Sequence, residues 1–103
     1  MSKESLALEW ISKHLGHPIT RDDLAYESYV FEFEELDDSF LPADYASFFQ
    51  PNQSVLTSLY VVNDVMVYFI EPIGNLSLPL SLIGLIVDSQ LMQYQIQKED
   101  YNV

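Results

Sequence analysis

Hydrophobic and polar positions alternate along this chain with two different periods, and the changes of period divide it into elements. Leu8, Ile11 and Leu15 recur at helical spacing, with Ala7, Trp10 and His14 beside them. Ser2 is a good N-cap and Glu4 sits in the first turn, where the helix dipole favours a carboxylate. Gly16 and then Pro18 supply the stop. The pattern predicts a helix over 3–15. In "ESYVFEFEEL" the period drops to two: Tyr29, Phe31 and Phe33 point one way, and Ser28, Val30, Glu32 and Glu34 the other. That predicts a strand with one wet face. "DDSFLPADYASFFQP" is irregular, with room for a short helix between Pro42 and Pro51.

The next stretch, "SVLTSLYVVNDVMVYFIEP", is apolar on both faces and rich in β-branched and aromatic residues, which lose entropy in a helix. Asn63-Asp64 tolerates the positive φ of a tight turn, so two antiparallel strands are expected, over 54–62 and 65–71. Pro72 has no amide hydrogen to offer a ladder, and Gly74-Asn75 can turn the chain. Ser77 can then cap a second helix, with Pro79 tolerated in its first turn, running over 78–90. Its apolar residues, among them Leu82, Ile83, Leu85, Ile86 and Val87, surround the whole cylinder. A helix apolar all round needs cover on more than one side. The sheet supplies one cover, and a second copy of the chain is the economical expectation for the other. Gly84 fits that expectation as a dimer-contact residue, because it would let two helices approach closely. Finally "MQYQIQ" alternates Met92, Tyr94 and Ile96 against three glutamines, which predicts a last strand before a loose tail. Together these elements predict one α+β domain over 1–103: an N-terminal helix, an antiparallel sheet of about four strands and a second, apolar helix.

Composition sharpens this outline. The 103 residues are 49% hydrophobic and only 19% charged, which argues against disorder. Sixteen acids against four bases give a formal charge of -12. Nucleic-acid phosphates and anionic lipid heads would be repelled, and a basic protein is the natural complement. With no cysteine, thiolate sites and disulfides are excluded and a reducing compartment, the cytoplasm, is expected. The longest uncharged run, 72–87, holds two prolines and is too short for a spanning helix, so no membrane span is expected.

Candidate chemistry is sparse. His14 and His17 straddle the end of the first helix and lack the further ligands a metal site needs. "FEFEELDD" packs five acids into 32–38, yet no nucleophile, base or phosphate cradle accompanies them. Two readings of that run stand: a solvated edge guarded by charge, and a docking surface for a basic partner. No enzymatic activity, cofactor or metal is expected. Trp10 reads as core and the glutamine row as a solvent face.

The order of elements resembles class I type III secretion chaperones, the CesT-like family. The likeness lies in "SLALEWISKHLGHPITRDDLAYESYVFEFEEL" and "VMVYFIEPIGNLSLPLSLIGLIVDSQLMQYQIQ", about two-thirds of the chain. It implies a dimer built partly on the second helix, with Leu82, Leu85 and Ile86 near the contact. It also implies a cargo-binding sheet that includes Tyr29, Val30, Phe31 and Phe33. The expected function is that of a cytoplasmic, homodimeric chaperone that keeps an extended segment of a secreted effector competent for export, with Glu32 and Glu34, on one face of the strand, among the partner-binding residues. An acidic inhibitor or immunity protein that blocks a basic partner is the alternative.

Overall fold

The computed structural model describes residues 2–43, 52–73 and 80–98. The first helix, α1 (Lys3–Leu15), forms as its spacing predicts. The Ser2 side chain accepts from the Ser5 amide at 3.1 Å, and Gly16 closes the helix in the left-handed conformation, φ 78°. Ala7 and Ile11, one turn apart, are fully buried, while Leu6, Trp10 and Leu15 flank them. The Lys3 ammonium pairs with Glu71 on the sheet, and Arg21 donates Nε–H to Glu4 at 2.9 Å. That guanidinium holds the half-buried Glu4 carboxyl below its ordinary range.

Five antiparallel strands follow in chain order: β1 (Ala25–Glu32), β2 (Ser54–Val62), β3 (Val65–Pro72), β4 (Leu80–Val87) and β5 (Gln90–Lys98). The sheet is therefore a plain meander. One face carries Tyr60, Val67, Phe69, Ile83 and Leu85 beneath α1. The opposite face carries Val55, Tyr68, Ile70, Leu82 and Ile86 beneath Phe33 and Leu41. The β2–β3 hairpin turns at Asn63, φ 54°, as the Asn-Asp pair predicts. β3 ends at Pro72 for a visible reason. The Ile73 amide donates to Ser54 on β2, so the preceding nitrogen faces β4. Proline has nothing to donate there, and the β3–β4 register stops at Ile70 opposite Leu82.

The helix expected over 78–90 is not formed. Its residues from Leu80 to Val87 are β4, and Gln90 already belongs to β5. The all-round apolar pattern has another solution: a central strand is buried on both faces and reads as a continuous apolar run. The turn into β5 is Asp88-Ser89, with φ 51° and 65°, both in the left-handed region that a two-residue hairpin of this hand requires. Gly84 has a different task from the one expected. It lies opposite Tyr68, and a Cβ at this position would overlap the Tyr68 ring. The ring lies across the glycine, a known device for stiffening a strand glycine, and its hydroxyl donates to the Phe40 carbonyl at 2.7 Å. Burial pushes that hydroxyl's pKa up. The possible helix between Pro42 and Pro51, the turn at Gly74-Asn75, the Ser77 cap and most of the tail lie outside the described residues.

The alternating strand also ends earlier than expected. Beyond Glu32 the chain enters a 3-10 turn, Phe33–Glu35, and then a second, Asp38–Phe40. The Glu32 amide donates to Glu35 Oε1 at 2.7 Å, and the Leu36 amide to the Phe33 carbonyl at 3.2 Å. This closed turn swings Phe33 off the strand and into the core.

Candidate functional site

Two edges bound the sheet, and they differ. β5 carries a bulge in its pairing with β4 at Leu85/Ile86, and residues 39–43 run alongside it in a shallow groove with Leu91, Met92 and Tyr94. Bulges twist an edge and blunt it against further pairing. Among the described residues β1 has neither protection. It pairs with β2 over eight consecutive residues without a shift. Every side chain of β1 is exposed except the half-buried Phe31; Val30 is 65% and Tyr26 57% exposed.

The hydrogen-bonding direction of β1 follows from its last contact. The Phe33 amide donates to the Gln53 carbonyl at 2.8 Å, so it faces β2. Amide direction alternates along an extended strand, so Phe31, Tyr29 and Glu27 also face β2, whereas Glu32, Val30, Ser28 and Tyr26 face away. The Glu32 amide is already taken by Glu35. Among the described residues three outward amides remain, those of Tyr26, Ser28 and Val30, in a row with the carbonyls of the same residues. Around them the sequence from Asp22 to Asp38 holds eight acids and no base. Tyr29 is held to Glu27 by a hydrogen bond, which raises the tyrosine hydroxyl's pKa together with the glutamate's charge. The Tyr29 and Phe31 rings stand 5.7 Å apart on one face, and Tyr26 rests 4.9 Å from Tyr60 on the other.

Of the predicted partner-binding residues, Tyr29, Val30 and Phe31 lie together on this edge strand. Phe33 does not join them at the surface: just past the strand end it is 2% exposed, in the core of the face against which Phe31 also packs. Glu32 and Glu34 do not share a strand face either, because Glu34 lies in the 3-10 turn. Leu82, Leu85 and Ile86 are at most 4% exposed, covered by α1 on one side and the 33–41 segment on the other. The uncovered oil that called for a second copy is covered within the chain. Sequence reasoning missed Tyr26, whose outward amide and exposed ring complete the edge; its place two residues before Ser28 in the same alternation was the available signal.

Among the described residues no group of three or more His, Asp or Glu side chains could hold a metal ion, and no helix is long and apolar enough to cross a membrane. Asp64 and Asp88, on neighbouring hairpin tips, share a hydrogen bond that raises the Asp88 carboxyl's pKa, and the Asp88 amide donates to the Asp64 carbonyl at 3.2 Å. No family model, curated protein or solved structure matches this chain.

Proposed function

We propose that this chain is a non-enzymatic binding protein that captures an extended segment of another protein by adding it to the outer edge of β1. The observation that carries this reading is the row of three outward amides at Tyr26, Ser28 and Val30, exposed and set among acids. Main-chain pairing at such an edge supplies affinity, and side chains on alternate faces supply selectivity. The acids attract a segment rich in Lys or Arg and speed its encounter. In its narrower form the partner is a secreted protein, held unfolded in the cytoplasm until export, as the chaperone resemblance implies. Homodimerisation enters as a competing use of the same edge.

The -12 charge favours a second reading, an acidic inhibitor that covers a basic site of a nuclease or toxin. The two separate by salt. Strand addition with apolar contacts persists at high ionic strength, and charge-dominated blocking falls steeply.

Val30→Pro is the decisive variant. It removes an outward amide while leaving the β1–β2 ladder intact, since proline is tolerated on edge strands. Wild type and variant serve as baits, and a synthetic segment of the recovered protein is then titrated into labelled chain. The reading requires slowed amide exchange at Ser28 and Val30 in the wild type and lost binding in the variant. Equal binding by both chains would remove the edge from the account.

A further inference from the structure

A second site lies on the opposite side of Phe31 and does not depend on the edge reading. The 33–41 segment crosses the sheet face without filling it. Between them is a cavity of about 230 Å³. Its walls are the apolar side chains Leu36, Phe40, Leu59, Met66, Ile70 and Ile86. For scale, a dry apolar cavity of about 150 Å³ admits benzene. The room here suits one aromatic ring with a small substituent.

Two polar features give the cavity chemical character. Thr57 lines its floor, is 6% exposed, and its hydroxyl has no hydrogen-bond partner among the described residues. A buried hydroxyl without a partner carries a desolvation penalty, and a threonine can exchange its methyl and hydroxyl positions by moving between staggered rotamers. The nearby Tyr68 hydroxyl is already committed to the Phe40 carbonyl. The other feature is the mouth, where Glu35 and Asp37 stand. Ser39 donates to Asp37 from both its hydroxyl and its amide, which keeps that carboxyl ionised below its ordinary range. An anion would meet two carboxylates on entry.

We infer that this cavity is a binding site for a small free aromatic molecule, neutral or cationic, that carries one hydroxyl or amine to pair with Thr57. The apolar walls take the ring, Thr57 selects the polar substituent, and the mouth rejects acids.

Methyl NMR of the full chain tests the assignment, with phenol, toluene and benzoate as probes and Met66, Leu59 and Ile86 as reporters. Phenol shifts these methyls, and benzoate, though of similar size, binds about tenfold more weakly or not at all. Thr57→Val, which keeps the shape, weakens phenol up to about tenfold, leaves toluene unchanged and does not lower the melting temperature. No shift with phenol at millimolar concentration overturns the site. So does equal binding of benzoate, or an equal effect of the valine on phenol and toluene. A third overturning result concerns the source of the ring. If the blocked peptide acetyl-Lys-Tyr-Lys-amide binds the same methyls about tenfold more tightly than phenol, the occupant is a partner's side chain and not a free small molecule.

Discussion

β1 and β4 are strands of the same length in one sheet, one mixed in character with two glutamates and the other almost wholly aliphatic, and their circumstances are opposite. β4 sits one strand in from the β5 edge, and from Ser81 to Ile86 it is buried throughout. β1 is the outermost strand and is exposed along almost its whole length. Position in the sheet and composition agree on which strand holds the molecule together and which is placed to meet another chain. Tyr26, Tyr29 and Val30 still present apolar surface, and among the described residues β1 has outward amides without a ladder partner where β4 is paired on both sides. The exposure of such residues on a long, unbulged edge is what protein sheets ordinarily avoid, and the acids around β1 are the visible compensation.

Substitutions should expose this contrast, most strongly in the centre. Ile83→Ala removes a fully buried side chain beneath α1 and should cost about 2–5 kcal/mol, read by denaturant unfolding. Gly84→Ala forces a methyl against the Tyr68 ring and should cost about 1–3 kcal/mol, because the ring cannot move without losing its bond to Phe40. Tyr68→Phe leaves the Phe40 carbonyl without that donor and should cost about 1–3 kcal/mol. On β1 the same experiment should change stability little: Val30→Pro is expected to cost under about 1 kcal/mol while abolishing segment capture. A Val30→Pro chain as damaged as Ile83→Ala would erase the distinction between the two strands.

The smallest effect concerns the hairpin tips. The Asp88 carboxyl is raised in the folded chain by Asp64, so the native state binds that proton more tightly than the unfolded one. The sign follows: the pair weakens the fold at neutral pH and ceases to do so as pH falls below the ordinary aspartate range. Asp88→Asn should therefore raise the melting temperature slightly at pH 7 and not at pH 3. Asparagine also accepts the φ of 51° at this position.

How much of this was legible beforehand divides along the same line. α1 was readable because cap, period and stop agreed. The β2–β3 hairpin was readable because Asn-Asp interrupted a β-branched run. β4 carried the same kind of evidence, Ile83, Ile86 and Val87 followed by Asp88-Ser89, but the uniform apolar run has no period, and a cappable serine tipped the reading to a helix. Register then mattered as much as type. Gly84 looked like a helix contact until the sheet placed it opposite Tyr68. On β1 the alternation was visible and its end was not, since Phe33 leaves the strand through a bond from the Glu32 amide to Glu35, a local closure that hydrophobic spacing does not record. The cavity above Thr57 depends on how 33–41 crosses the sheet, a long-range fact with no local signature.

Amide hydrogen exchange along β1 in the isolated chain, followed by NMR at low and high protein concentration, tests the free edge most directly. The account predicts slow exchange at Glu27, Tyr29 and Phe31 and fast exchange at Tyr26, Ser28 and Val30, with no dependence on concentration. Uniform protection along the strand, or protection of the outward amides that grows with concentration, would mean that the edge is already occupied and would contradict it.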